Sequence, residues 1–199
     1  MHLAFDIFQG IGIAAAVGIR PFLPGLAAGA LAAGDVEIHF DHTSYSFLQS
    51  LPFLLVMVIG AALLVVLDRG AWGPRVHSGS GSLGGVLAIV SLALGALFFA
   101  GSLVRDHHGA WPGWVGGVIC ALVGIAAARP FLARLRSRLD DAAAAVGLPV
   151  IADGSALLIC VLSIVAPPIG VIALLGLLWL LYRGQQRDEQ KYAGLRILR

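Results

Sequence analysis

The chain has 199 residues, of which 59% are hydrophobic and 12% charged, and its mean hydropathy is +0.92. About a quarter of the residues of an average soluble domain are charged, so this composition excludes a water-soluble globule and indicates lipid as the main solvent. The 13 Lys and Arg and the 11 Asp and Glu give a formal net charge of +2, which is too even for a nucleic-acid-binding surface. Two cysteines, Cys120 and Cys160, exclude a disulfide framework and a four-cysteine metal site.

Five apolar runs are long enough to cross the roughly 30 Å hydrocarbon core of a bilayer as helices. They are Leu3 to Ala33, Leu48 to Leu67, Leu83 to Val104, Trp114 to Leu132, and Ser155 to Tyr182. The first run lacks the basic n-region and cleavage site of a signal peptide, so we keep it as structure. The predicted fold class is an all-α integral membrane protein with five to six spans.

Prolines interrupt two of these runs. Pro21 and Pro24 follow Arg20 in the first run, and Pro167 and Pro168 are consecutive in the last. Proline lacks the backbone N–H donor and disfavours helical geometry in the residue before it. Each run is therefore predicted to be two half-helices, whose freed carbonyls must be bonded by protein or water because lipid offers no donors.

The basic residues bear on topology through the positive-inside rule. If every run crosses once, the sides carry five and six basic residues; if the last run turns back at Pro167 and Pro168, the count becomes ten against one. A re-entrant or doubly passing last segment is favoured, with a long tilted helix as the alternative. The N-terminus, the loop 134–138 and the C-terminal tail are then cytoplasmic, and the acidic loop 35–41 faces outward.

Two connecting segments have their own patterns. Residues 134–146 place arginines and aspartates among Leu and Ala, which predicts a short helix lying at the membrane interface. Residues 72–82 are rich in Gly and Ser and are predicted as a flexible loop.

A short sequence recurs within the chain. Arg20–Leu23 is repeated as Arg129–Leu132, and Leu67–Gly70 has a looser counterpart in Leu181–Gly184. The copies lie in the first and fourth runs, which are expected to cross in opposite directions, as in an inverted repeat with a binding site between its halves. The halves would be residues 1–70 and 116–184, linked by the span 83–104. Chance recurrence in a low-complexity apolar chain is the alternative.

Arg20 is the most informative single residue, because it lies 17 positions after Leu3 within an apolar run. A guanidinium in hydrocarbon costs several kcal/mol on insertion scales, so some group should compensate for it. One interpretation is that Arg20 faces a polar cavity beside opened backbone and binds an anionic group, which suits its planar fork. The other is that Arg20 extends to a lipid headgroup.

Other charged residues carry weaker signals. Arg129 has the same chemistry but lies near the interfacial arginines that follow it. Asp153 is predicted to pair with Arg20 or Arg129, to carry a proton, or to cap the helix that follows, and capping is the commoner role. Asp6 and Asp68 are predicted to be solvated ends of their runs, with a proton or ion role as the alternative.

The sequence contains no pattern typical of enzyme or metal chemistry. No GxSxG, HExxH, P-loop or paired-carboxylate arrangement is present, so neither an enzyme nor a cofactor is predicted. The residues Asp35, Glu37, His39 and Asp41 alternate with apolar residues, but without a recognised metal spacing, and a solvated loop is favoured. His107 and His108 are likewise predicted to form an interfacial turn.

The segment Gly18–Pro24 resembles the N-terminal motif G-L-R-A-F-L-P of a family of bacterial integral membrane proteins, the domain of unknown function 4126 proteins. A second similar region comprises Val150–Gly154 and Val165–Pro167, where the family has an acidic pair and then an apolar run with Ala-Pro. Ala152 replaces the first acid, which weakens any two-carboxylate mechanism. The resemblance covers most of the chain and implies no established activity. Arg20–Gly29 is also similar to the re-entrant motif of DedA-type lipid-carrier flippases.

We therefore predict a bacterial inner-membrane protein that transports an anionic substrate or flips a lipid. Arg20 is expected to bind the substrate, with Arg129, Asp153, Pro21 and Pro24 in support. The expected partners are membrane lipids, an anionic solute or lipid phosphate, and a second copy of the chain, and no nucleic acid. The alternative is a non-transporting scaffold that packs through small-residue helix faces, above all the glycine-rich third run.

Overall fold

A computed structural model describes residues 2–38, 40–41, 43–69, 82–105 and 109–195 of the chain. Seven α-helices make up most of these residues. They are α1 (His2–Ile19), α2 (Phe22–Ala33), α3 (Leu51–Arg69), α4 (Ser82–Val104), α5 (Trp111–Arg136), α6 (Asp141–Val165) and α7 (Pro168–Leu195), with a short 3₁₀ helix at Ser46–Gln49. Helices α3 to α7 are long and apolar enough to cross a membrane, whereas α1 and α2 are shorter. The chain is an all-α, multi-pass membrane protein, as predicted.

Helix α1 lies at the centre of the bundle. Its residues from Ile13 to Val17 are fully buried. Glycines allow its neighbours to approach closely: a Cβ at Gly18 would overlap the carbonyl oxygen of Ala121 on α5, and one at Gly12 would lie 2.8 Å from the Gly170 Cα on α7. Small residues in apolar helices let backbones pack in this way.

Contacts of Arg105, just after α4, show that the first apolar run doubles back. Its Nη2 pairs with Asp6 near the start of α1, and its Nη1 donates to the carbonyl oxygen of Glu37, after α2, at 3.1 Å. The start of α1 and the end of α2 therefore lie at the same end of the bundle, here called the Arg105 face. The opposite end, where α1 stops at Arg20, is the Arg20 face.

This hairpin overturns one topology prediction. The first run was expected to cross once, which would place the N-terminus on the side of the loop 134–138. Instead, α1 begins on the Arg105 face. Helix α2 packs back along the bundle toward that face, and its Pro24 carbonyl oxygen accepts a hydrogen bond from Cys160 Sγ of α6 at 3.4 Å. The residues of the loop 134–138 lie on the Arg20 face.

The last run also forms a hairpin, which was the favoured interpretation. Asp153 of α6 reaches Arg20, while Ser163 lies beside Gly12 and Leu181 of α7 joins the apolar cluster of Ile19. Helices α6 and α7 therefore run in opposite directions on either side of Pro167. The predicted interfacial helix at 134–146 was wrong: residues 137–140 form a turn, and α6 continues from Asp141 into the membrane span.

A buried side chain bonds the carbonyl that a proline frees at this turn. Pro168 has no N–H to donate to the carbonyl oxygen of Ile164, four residues earlier. The Nε2 of Gln9 on α1, a residue only 2% exposed, donates to that oxygen at 3.4 Å. A polar residue in the central helix thus stabilises the helix break that Pro167 and Pro168 produce.

Helix directions bear on the internal repeat. The start of α4 lies near Arg129, whose Nη2 donates to the Gly84 carbonyl oxygen at 3.3 Å, and its end lies near Asp6. Since α4 runs antiparallel to both α1 and α5, the two copies of Arg-Pro-Phe-Leu lie on chain segments that run the same way into the Arg20 face. That is the relation of a parallel repeat, so the structure gives no support to an inverted one.

The hairpin of α1 and α2 predicts which sites a membrane-impermeant maleimide reaches from each side. In a background without Cys120 and Cys160, cysteines replacing Leu3 and Ser44 should be labelled from one side of sealed vesicles. A cysteine replacing Ser137 should be labelled from the other side. Labelling of the Leu3 and Ser137 positions from the same side would contradict the hairpin.

Candidate functional site

The bend between α1 and α2 positions Arg20. Its backbone N–H donates to the Ala16 carbonyl oxygen at 3.1 Å and so completes the last turn of α1. Pro21 then interrupts the helix, while Pro24 lies in the first turn of α2, where backbone N–H groups have no partner within the helix. The two prolines therefore end one helix and begin the next without leaving an extra donor unbonded.

Two carboxylates hold the Arg20 guanidinium. Its Nη2 lies 2.8 Å from Asp68 Oδ2 at the end of α3, and its Nε lies 3.2 Å from Asp153 Oδ1 on α6. The side chains of Arg20 and Asp68 are 6% and 0% exposed, and that of Asp153 is 17% exposed. This charge cluster joins three helices that are far apart in sequence.

The cluster lies below the end of the bundle. Asp153 comes seven residues after Val146, where the apolar span of α6 begins, and at 1.5 Å per residue this corresponds to about 10 Å along the helix. Helices α1 and α3 end beside the cluster, whereas α5 and α6 extend past it. Arg20 is therefore recessed between longer helices.

These contacts change three predictions. Asp153 lies in the interior of α6 and does not cap it. Asp68 and Asp6 are buried and face Arg20 and Arg105, and are not solvated run ends. A signal for both pairings was available, because a cation within an apolar segment needs a counter-charge and carboxylates there pair with such cations.

Arg129 and Arg20, which are 109 positions apart, line one cavity of about 60 Å³ between α1, α3, α4 and α5. A water molecule needs about 10–15 Å³ of such space, so the cavity has room for a small polar group. Apart from the two arginines and Ser91 on α4, its wall is made of apolar and glycine residues such as Leu64, Leu87 and Ile125. Pro21 also lines the cavity, whereas Pro24 lies on the opposite side of the bend, against Cys160.

Arg129 is half-buried and differs from Arg20 in its partners. Its Nη2 donates to the Gly84 carbonyl oxygen at 3.3 Å. Within the described ranges, no carboxylate lies at ion-pair distance from it. Among the described residues, the cavity thus has one arginine held by two carboxylates and another bonded only to backbone.

A family model described as Domain of unknown function (DUF4126) matches residues 7–187. The chain belongs to this family. The match includes Arg20, Asp68, Arg129 and Asp153, which are all the charged residues of the cavity and its cluster. No curated protein and no solved structure matches the chain.

Within the DUF4126 region, two of the three segments that carried the sequence resemblance lie at structural breaks. Gly18–Pro24 forms the bend between α1 and α2, and Val165–Pro167 forms the turn between α6 and α7. Asp153, from the third such segment, joins the Arg20 cluster. The segments similar to the family therefore lie where helices end or where a charged side chain lies inside the bundle.

A second buried ion pair lies at the other end of α1. Asp6, with a fully buried side chain, pairs with Arg105, whose side chain is 19% exposed. Asp6 and Arg20 are 14 residues apart, or about 21 Å along an α-helix. The central helix thus has one charged cluster near each of its ends.

The metal and loop predictions are only partly covered by the structure. Among the described residues, no group of three or more His, Cys, Asp and Glu side chains is arranged to hold a metal ion. His39, His42, His107 and His108, and most of the predicted loop at 72–82, lie outside the described residues.

Proposed function

We propose that this protein is a small transporter of the bacterial inner membrane that moves an anionic substrate, a solute or the phosphate group of a lipid, through the cavity between Arg20 and Arg129. One observation carries the proposal: two arginines from distant parts of the sequence line the same recessed and otherwise largely apolar cavity. An arginine in a low-dielectric site binds carboxylate or phosphate oxygens through a planar set of donors. Broken helices beside such a site are typical of transporters.

In this proposal Asp68 and Asp153 have different roles. Asp68 is fully buried and makes the shorter contact, so it holds the Arg20 side chain in place. Asp153 makes the longer contact and is partly exposed, so an entering anion can replace it on Nε. Exchange of one carboxylate for another anion keeps the guanidinium compensated, and the cost of the exchange is the release of the Asp153 carboxylate from its cation.

Release of Asp153 would couple binding to movement. Asp153 is on α6, and α6 continues through the turn at Pro167 into α7. Loss of the Arg20 contact would free the Asp153 end of α6 to shift against α1, while Gln9 and the contact of Gly12 with Gly170 hold the turn at Pro167. Substrate binding and the position of α6 would then depend on each other.

The scaffold hypothesis has less support. It requires the small residues of α4 to face another protein, but Gly95 packs against Ala121 and Gly117 of α5, and Gly101 packs against Phe40. Ser91, Ala96 and Ala100 are also buried within the chain. The face that a scaffold would offer is occupied by the protein's own helices.

The test is flux into proteoliposomes made of phosphatidylethanolamine and phosphatidylglycerol. The solute probes are radiolabelled chloride, inorganic phosphate, sulfate and acetate; the lipid probe is fluorescently labelled phosphatidylglycerol, followed by its accessibility to an external quencher. Arg129→Gln should lower the flux of the transported probe about tenfold or more, because a hydrogen bond to a charged group is lost. Arg136→Gln, on the same helix but outside the cavity lining, should leave it unchanged.

The outcomes discriminate clearly. Flux of a solute but not of the lipid identifies a solute transporter, and the reverse identifies a flippase. The proposal is wrong if no probe moves faster than in protein-free vesicles, or if the Arg129 and Arg136 variants behave alike.

A further inference from the structure

A separate groove lies on the Arg20 face, between the end of α5 and α7. Its volume is about 250 Å³. Three arginines line it, Arg134 and Arg138 from the end of α5 and the turn after it, and Arg183 from α7. The remainder of its lining is apolar and includes Phe131, Trp179 and Leu180. The groove therefore has a cationic rim on an aromatic and aliphatic wall.

Two of these arginines are held in place by their neighbours. Arg134 Nε donates to the Pro130 carbonyl oxygen at 2.9 Å, and its guanidinium lies over Gly184 of α7, where a Cβ would be 3.0 Å from Nη2. The Cζ of Arg183 lies 4.9 Å from the ring centroid of Trp179, a cation–π contact. Neither contact uses a carboxylate, so both guanidinium groups keep their positive charge available.

An apolar groove of about 230 Å³ adjoins the cationic one. The two share Phe131 and Leu180, and the second continues between α5, α6 and α7 along residues such as Ile151 and Leu177. Its lining is apolar except for Ser155. The cationic groove and the apolar groove are thus adjacent, as the charged headgroup and the acyl chain of a lipid are.

We propose that this pair of grooves binds one anionic phospholipid, with its phosphate between Arg134, Arg138 and Arg183 and an acyl chain along the apolar groove. Basic pockets between transmembrane helices bind anionic headgroups through the same charge complementarity. A lipid fits better than a free phosphate, because a free phosphate would leave the adjoining apolar groove unused. This proposal does not rest on the proposed transport activity: the site shares no arginine with the cavity of Arg20 and Arg129, although its apolar groove and that cavity have Ile19, Ala128 and Leu132 in common.

Native mass spectrometry of the purified full chain in a non-ionic detergent tests the site. The protein is mixed with equal amounts of phosphatidylglycerol and phosphatidylcholine of identical acyl chains. The intact protein should keep phosphatidylglycerol preferentially. Each of Arg134→Gln, Arg138→Gln and Arg183→Gln should lower this preference about fivefold, while Arg136→Gln, the same charge change outside the groove lining, should not.

Two further measurements address the chemistry of the occupant. Ile151→Trp, which fills the apolar groove, should reduce retained phosphatidylglycerol without changing the arginines. Glycerol phosphate, which lacks acyl chains, should fail to displace the lipid at equal concentration.

Three results would overturn the proposal. They are equal retention of the two lipids by the intact protein, an equal loss of preference in the Arg136 control, and displacement by glycerol phosphate as effective as by phosphatidylglycerol. Size-exclusion profiles confirm that each variant is folded.

Discussion

Replacing Arg20 with methionine should destabilise the protein by about 3–5 kcal/mol, the usual cost of removing one partner of a buried ion pair. The guanidinium is only 6% exposed and faces an Asp68 side chain that is fully buried. Its loss leaves a carboxylate in the bundle without the cation that it contacts at 2.8 Å. The measurement is the unfolding midpoint of the detergent-solubilised protein.

A triple substitution separates stability from function. Apolar groups of similar volume often replace a buried ion pair or triad at no cost, so Arg20→Met combined with Asp68→Leu and Asp153→Leu should recover most of the lost stability. The proposed transport should remain absent, because the substrate-binding guanidinium is gone. Arg136→Met serves as the control and should change stability by about 0.5 kcal/mol or less, as surface substitutions usually do. An equal effect of the Arg20 and Arg136 substitutions would show that Arg20 is not held in a buried pair.

Valine at Gly18 should have an equally large effect through packing. A Cβ at this position would overlap the Ala121 carbonyl oxygen, and backbone atoms cannot move aside as a flexible side chain can. Overpacking a well-packed core costs about 1–3 kcal/mol and occasionally more. Because α1 must separate from α5 to accept the side chain, we expect a cost at or above the top of that range.

Gly176 of α7 provides the matched control, since no heavy atom outside its own helix segment lies within 4 Å of a Cβ at that position. Gly176→Val should change stability by about 0.5 kcal/mol or less, because the helix propensities of glycine and valine differ by only a few tenths of a kcal/mol. Yield of monodisperse protein and the unfolding midpoint measure both variants. Similar behaviour of the two would contradict the close contact of α1 with α5.

Several features of the fold were predictable from local patterns. The composition indicated a membrane protein, and run lengths indicated its long helices, because the bilayer thickness sets the number of apolar residues. The prolines after Arg20 and at 167–168 marked the two helix breaks, since proline removes a donor, although Pro130 and Pro149 lie inside α5 and α6 without ending them. The ten-to-one distribution of basic residues favoured the hairpin at the second break.

The same local patterns were insufficient at the first break. A proline bend allows a helix pair either to continue across the membrane or to fold back, and the sequence before and after Arg20 is apolar in both cases. The contacts of Arg105 with Asp6 and with the carbonyl of Glu37 decide for folding back. Those contacts join residues 99 and 68 positions apart, so no short window of sequence contains them.

The sequence by itself determined the chemistry of the candidate site: an arginine inside an apolar run, a second copy of its motif at Arg129, and an acid at Asp153. Only the tertiary structure decided that Arg20 lies between Asp68 and Asp153 and that it shares a cavity with Arg129. The reason is physical. Hydropathy determines which segments enter the membrane, but the partner of a buried charge depends on which helices lie side by side, and close packing of small residues around α1 sets that arrangement.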